Sequence, residues 1–304
     1  MTNAPIVLFV FNRPDHTLQV LNSLEQNALA ASSLLYIISD GKKPGMKDAE
    51  KENIDKVRQV IRSRQWCGEV IIREKELNEG LAGSIISAVT ELLDKHGKLI
   101  VLEDDLVLSP HALHYFNFSL NRFEKNQEIS CIHGYSFPAN YGAGYFFMKG
   151  ADCWGWATWK DRWQDFNPDG KALASELEAK GLVDEFDFYG TYGFFKMLKD
   201  QSEGRNNSWA IRWYASAFLK NKLTLYPKVP FTVNSGNDGS GYHTRTSSTV
   251  YDNVLAEAFK PEELEQIAVE ESKARKLETA RFFARNFLGR KKNFIFNLRR
   301  IFIS

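Results

Sequence analysis

Short, wholly apolar runs alternating with amphipathic helical stretches constrain this chain more than any other feature of its sequence. Pro5 to Phe11 (PIVLFVF) has no polar face, which is the pattern of a strand buried on both sides. Pro14 opens a helical stretch with Leu18, Leu21 and Leu24 on one side. Leu34 to Ser39 (LLYIIS) reads as a second strand, stopped by Asp40-Gly41. Asp48 to Arg64 reads as an amphipathic helix and Glu69 to Arg73 as a third strand. Glu79 to His96 is a helix with Leu81, Ile85, Ala88 and Leu92 on one face. Lys98 to Leu102 is a fourth strand, and Ser109-Pro110 caps the helix after it. This alternation, with short links, predicts an α/β fold: a mostly parallel central sheet flanked by helices, with right-handed crossovers.

The remainder is less regular. Ile129 to Phe166 mixes short strands (ISCIHGY, YFFMKG) with the aromatic segment CWGWATWKDRW, and helices are expected from Lys171 to Lys220. A strand (LTLYP) and a Gly/Ser-rich loop, NSGNDGSGYHTRTSS, follow; from Pro261 the chain is helical and charged, then basic and aromatic. With 43% hydrophobic and 25% charged residues, the chain can bury a sizeable core and is not intrinsically disordered. A net charge of +1 argues against a partner nucleic acid held by bulk charge. Three cysteines without CxxC spacing exclude a disulfide scaffold or cysteine zinc site and suit a reducing, cytoplasmic compartment. The opening MTNAPIVLFVFNRPD has no basic n-region, so it reads as a strand and not as a signal peptide.

Ligands of such sheets bind outside the carboxyl ends of the strands, so the residues that follow each strand carry the chemistry. In VLEDDLVLSP an apolar strand runs into Glu103, Asp104 and Asp105. Carboxylates this close repel one another unless a cation or donor compensates. A hard divalent cation, Mn2+ or Mg2+, held by one or two carboxylates plus substrate phosphates is one solution; a solvated acidic turn is the other. Asn12 and Arg13 follow the first strand, where an Arg can bind phosphate through two parallel hydrogen bonds or stack on a base. Neither GxGxxG nor a Walker A pattern is present there, which disfavours Rossmann cofactors and P-loop chemistry. Asp40 can accept from a base N–H or a ribose hydroxyl, or can simply make an Asp-Gly turn. Asn78, Gly80 and their neighbours in NEGLAGS open a helix whose free N–H groups and small side chains admit a diphosphate or sugar.

Together these four sites resemble the nucleotide-sugar half of a GT-A glycosyltransferase, most closely the animal N-acetylglucosaminyltransferase I family. That family's Cys-Asn-Arg strand end is similar to VLFVFNRP, its Gln-Asp-Cys to IISDGK, and its acidic triplet to VLEDDLVLSPHALHYF; SCIHGYSF is also similar. The resemblance covers about residues 5–140. It implies that Arg13 contacts the nucleotide diphosphate or base, Asp40 the uracil, Glu103 the donor sugar and Asp104 the ribose, while Asp105 binds the metal. Three regions are expected: a nucleotide-sugar-binding half (1–140), an acceptor-binding half of the same domain (141–250) and a helical, basic, amphipathic tail (251–304).

In the second half Trp156, Trp159 and Trp163 fall at helical spacing, the mark of a core face, while Trp154-Gly155 resembles the family's loop under the donor sugar. The family's general base is an Asp in a Trp-Asp-Asp-Trp segment; in NNSWAIRWYAS the matching places hold Ala210 and Ile211, which cannot accept a proton. Asp238, in SGNDGSGYHT, is a substitute, unless that segment is only a surface turn. His243 can ligate the metal or bind a phosphate, as a His after the last strand does in the resembling family.

From Lys273 to Ser304 there are ten basic residues against one acidic residue, Glu278, so the tail is basic and the body acidic. Phe283, Phe287, Phe294, Leu298 and Phe302 form an apolar stripe among Arg285, Arg290, Lys291, Lys292, Arg299 and Arg300. A helix of this kind lies flat on an anionic membrane, or packs on the body or on an oligomer partner. The expected protein is a metal-dependent glycosyltransferase of polysaccharide biosynthesis, peripheral on the cytoplasmic membrane face. It would move a hexose or N-acetylhexosamine from UDP to a glycan or lipid-linked glycan. The alternatives are a sugar-phosphate nucleotidyltransferase, whose Gly/Arg-rich first loop FVFNRPD lacks, and a non-catalytic carbohydrate-binding or membrane-scaffold protein.

Overall fold

The computed structural model describes residues 3–142, 144–236 and 249–289, together with Asn293 and Phe296. The first half follows the expected alternation: β1 (Ile6–Val10), α1 (Pro14–Glu25), β2 (Leu34–Ser39), α2 (Asp48–Arg62), β3 (Glu69–Glu74), α3 (Gly80–His96), β4 (Lys98–Glu103). A short strand β5 (Leu106–Leu108), helix α4 (Ala112–Arg122), β6 (Ile129–His133), β7 (Phe146–Lys149) and β8 (Trp156–Trp159) come next. Helices α5 (Lys160–Trp163), α6 (Gly170–Ala179), α7 (Val183–Phe186), α8 (Phe194–Ser202) and α9 (Trp209–Leu219) precede β9 (Leu223–Tyr226) and β10 (Thr232–Asn234). A C-terminal helical extension closes the described chain with α10 (Pro261–Glu265) and α11 (Lys273–Phe287).

The central sheet has eight strands in the order β3-β2-β1-β4-β8-β6-β9-β7. β3, β2, β1 and β4 are parallel, β8 runs against both β4 and β6, β6 and β9 are parallel, and β7 is antiparallel at the edge. The sheet is therefore mostly parallel and flanked by helices, as its apolar strands require. Alternate residues feed the two faces. Ile6, Leu8, Leu35, Ile37, Ile100 and Leu102 pack with α1, α2 and α4, whereas Val7, Phe9, Tyr36, Ile38, Leu99 and Val101 pack with α3 and α9. A second sheet pairs β5, which follows β4 in the chain, with β10 in antiparallel register.

Several expectations need correction. Trp156 and Trp159 are not on a helix; they stand on β8, where positions three apart face opposite sides of the sheet. Trp156 packs with Trp163, Trp209 and Trp213, while Trp159 joins the other core and donates from Nε1 to Leu120 O at 3.1 Å. Ser109-Pro110 precedes the cap of α4, which is His111; Ser109 Oγ accepts from His111 N at 3.2 Å at the entrance of the helix and donates to Ala256 O at 2.6 Å.

The tail is corrected in its first turns. Phe283, expected on a membrane-facing stripe, is buried against Phe137, Phe188 and Tyr192. The helix is pinned by Lys276, 3% exposed, whose Nζ lies 2.8 Å from Glu185 Oε1 and 3.0 Å from Glu271 Oε1. Phe287 is 43% exposed; Phe294, Leu298, Phe302 and the basic residues from Arg290 to Arg300 lie outside the described residues. No described helix is long and apolar enough to cross a membrane.

Candidate active site

Because β1 and β4 are neighbours, the residues that follow them meet at the carboxyl edge of the sheet. Arg13 stands at the start of α1, its backbone carbonyl tied by Thr17 N at 2.9 Å and Thr17 Oγ1 at 2.8 Å. Its Nη2 donates to Asp104 Oδ1 and, at 3.1 Å, to Asp105 Oδ2. Its Nη1 is buried and has no hydrogen-bond partner among the described residues. Burial works against the guanidinium charge, but Asp104 and Asp105 outweigh it and hold Arg13 firmly protonated. Asn12 is half-buried beside it.

The triplet has more negative charge than Arg13 balances. Burial first, then Asp105 and Asp104, push Glu103 well above the usual carboxylate range, with Arg13 opposing. Asp104 is pushed up to about 6, chiefly by burial, against the pull of Arg13. Asp105 is fixed from the second sheet: its carbonyl accepts from Ser235 N at 2.7 Å and Ser235 Oγ at 3.1 Å. A Cβ on Gly236 would fall 2.7 Å from Asp105 Oδ2, so this close approach requires glycine. Asp238 and His243 lie in residues 237–248, outside the described residues.

Asp40 is buried and committed to local structure. Its Oδ1 accepts from Gly41 N at 2.9 Å and Glu79 N at 3.0 Å, and its Oδ2 accepts from Gly80 N at 3.0 Å. It thus caps α3 from another strand, satisfying N–H groups that would otherwise be open to an anion. Asn78 Nδ2 donates to Gly41 O at 3.0 Å, and Gly80 takes φ +73°. Asn78 and Gly80 therefore shape the shelf beside Asp40, and three of the carboxylate's lone pairs are already taken.

On the other side of β4, Trp154 sits half-buried before β8, its ring against Tyr135 and Tyr251. Its N–H donates to His133 Nε2 at 3.1 Å, and its carbonyl accepts from Thr232 Oγ1 at 2.7 Å. Asp152, unmarked by the sequence reading, lies in the same turn with Oδ2 3.3 Å from Tyr226 OH and 3.7 Å from His133 Nδ1. On α9, Ile211 is buried and Ala210 half-buried, so this helix start brings no carboxylate to the edge.

Among the described residues no group of three or more His, Cys, Asp or Glu side chains is arranged to hold a metal ion. Asp105 alone, completed by diphosphate oxygens, still fits a hard cation of the Mn2+ or Mg2+ kind, which needs few protein ligands.

No protein-family model matches the chain, and no curated protein matches it in sequence. Several solved structures are similar to parts of it. A mannosyltransferase from Pyrobaculum calidifontis, in complex with GDP-Man and Mn2+, is 10% identical with a TM-score of 0.31 over 43% of this chain and 35% of its own. A UDP-glucose pyrophosphorylase complexed with UDP-glucose is 13% identical, with a TM-score of 0.38 over 77% of this chain and 94% of its own. S. aureus TarS is 12% identical, with a TM-score of 0.28 over 46% of this chain and 23% of its own. This chain thus spans only about a third of the mannosyltransferase. Likenesses this low carry no weight for activity, and none of them singles out the N-acetylglucosaminyltransferase I family.

Proposed function

We propose that the protein is a metal-dependent glycosyltransferase of GT-A type, moving a hexose or N-acetylhexosamine from a UDP-sugar to a surface glycan. One observation carries the reading: the Nη1 of Arg13, buried and unpartnered among the described residues, beside Asp105 at the carboxyl edge of a parallel sheet. A buried guanidinium N–H without an acceptor is costly, and a diphosphate oxygen is the ligand chemistry that completes it.

In this reading residues 1–140 hold the donor and 141–250 receive the acceptor. Arg13 keeps Nη2 on the two carboxylates and gives Nη1 to the diphosphate, binding and orienting the leaving group. Glu103 accepts a hydroxyl of the donor sugar, Asp104 a ribose hydroxyl, and the remaining lone pair of Asp40 an N–H of the uracil. Asp105 would hold a divalent cation, which when bound neutralises charge on the departing diphosphate. Trp154 offers its ring to the apolar face of a sugar. The basic segment beyond α11, with Arg290, Lys291, Lys292, Arg299 and Arg300, suits an anionic membrane face on which a lipid-linked acceptor is presented. His243 and Asp238 remain proposals of the sequence alone.

Incubation with a panel of UDP-sugars and manganese tests the reading. Slow release of free UDP, abolished by Asp105→Ala, is the expected result. Pyrophosphate formation from UTP and a sugar phosphate would instead identify a nucleotidyltransferase, and no turnover with either would leave a binding protein.

A further inference from the structure

We propose that Asp152 is the base that takes the proton of the acceptor hydroxyl, held for this role by His133 and Tyr226; the inference rests on the glycosyltransferase reading above. In an inverting transfer the acceptor oxygen bonds to the sugar C1 as the bond from C1 to the diphosphate oxygen breaks. UDP leaves with that bond's electron pair, and the hydroxyl proton passes to a carboxylate. The two oxygens lie on opposite sides of C1, so the base must come from across the site from the groups that hold the diphosphate.

The sheet order supplies that arrangement. Arg13 follows β1 and the acidic triplet ends β4, whereas Asp152 lies beyond β8, against His133 of β6 and Tyr226 of β9. β8 pairs Trp156 with Val101, so the turn before β8 leaves the sheet alongside the end of β4. Cys153, next in the chain, is within electrostatic reach of Asp152, Glu103 and Asp105 together. Of the other carboxylates at this edge, Asp104 and Asp105 are engaged with Arg13, Asp40 with three backbone N–H groups, and Glu103 is the one assigned above to the donor sugar.

Asp152 is held and reachable at once. Its side chain is 24% exposed, and Oδ1 accepts from Cys153 N at 2.8 Å. His133 is fully buried, and its Nε2 accepts from the Trp154 N–H. The hydrogen-bond pattern therefore assigns the ring proton to Nδ1. Among the described residues that N–H meets no acceptor in hydrogen-bond geometry, and it faces Asp152 Oδ2 at 3.7 Å. A buried donor just short of contact, with Tyr226 OH beside it, aims the carboxylate while leaving lone pairs for an acceptor hydroxyl. The same His133 fixes the backbone of Trp154, so the base and the aromatic wall share one support.

The test follows UDP release from a panel of UDP-sugars with manganese, water serving as acceptor, together with UDP–manganese calorimetry on each variant. Asp152→Asn is expected to keep UDP affinity within about twofold while kcat falls about 100-fold or more, the size of a lost general base. Sodium azide attacks C1 without losing a proton, so it is expected to restore UDP release in Asp152→Gly and to yield a glycosyl azide. A merely structural role gives no such rescue. Tyr226→Phe, a positioning variant, is expected to lower kcat with KM unchanged. Wild-type turnover in Asp152→Asn, or no azide rescue together with lost turnover in Asp238→Asn, overturns the assignment while the glycosyltransferase reading stands. A wild-type protein that takes up no UDP overturns that reading and, with it, this one.

Discussion

Gly236 lies against Asp105 so closely that a methyl group in its place would sit 2.7 Å from Oδ2 and 2.9 Å from Cβ of that aspartate. The same methyl would lie 3.0 Å from Arg13 Nη1, the nitrogen assigned to the donor diphosphate. Gly236→Ala is therefore expected to displace the carboxylate–guanidinium pair. Manganese-dependent UDP affinity, read by calorimetry, should fall about tenfold, or ~1.4 kcal/mol. Because the clash is at the edge of the site and not in a core layer, the melting temperature should move by only about 2–4 °C.

Arg13 is the cation that balances Asp104 and Asp105, each mostly buried. Arg13→Met leaves the carboxylates uncompensated and is expected to cost about 3 kcal/mol in denaturant unfolding. In the double variant with Asp104→Asn the losses should be less than additive, since the second change removes a charge that the first left stranded. Strict additivity would show that the two side chains do not depend on one another.

The imidazole of His133 is held below its ordinary value by burial, with the charge of Asp152 opposing. The folded protein thus binds fewer protons here than the unfolded chain, whose imidazole titrates near about 6.5. This contribution to stability is complete above that pH and is lost progressively as pH falls below it. Protonation would also break the bond from Trp154 N–H to Nε2. Urea midpoints at pH 7.5 and 5.5 should show the loss, and His133→Gln, which can still accept from Trp154, should reduce it.

Lys276 joins α11 to the body through Glu185 and Glu271, and Lys149 Nζ also reaches Glu185 at 3.1 Å. Lys276→Met leaves two poorly balanced carboxylates and is expected to cost about 3 kcal/mol, measured by denaturant unfolding. UDP uptake should persist under native conditions, since none of these side chains touches the strand ends that hold the donor.

The half of the sheet that carries the donor side was legible because β1, β2 and β4 are buried on both faces and run almost wholly apolar between their turns. Position after a strand sufficed to mark Arg13 and the triplet, since parallel neighbours bring such residues to one edge. The rest depended on contacts between distant parts of the chain. Asp40 reads as a turn or a base contact, but its carboxylate caps α3, whose N–H groups arrive from residues 79 and 80. Trp156, Trp159 and Trp163 mimic a helical face because a strand buried on both sides followed by a short helix gives the same spacing. Phe283 belongs to an apolar stripe that has the same pattern whether it meets lipid or protein. Asp152 carries no local signal: Tyr226, which bonds it, is 74 residues away in sequence, and His133 lies on another strand.

Titration of UDP into the folded protein, with and without manganese, tests the central claim most directly. Saturable uptake that requires manganese, retained in Asp152→Asn and lost in Asp105→Asn, is the predicted result. No uptake by the wild-type protein, or equal uptake by Asp105→Asn, would contradict it.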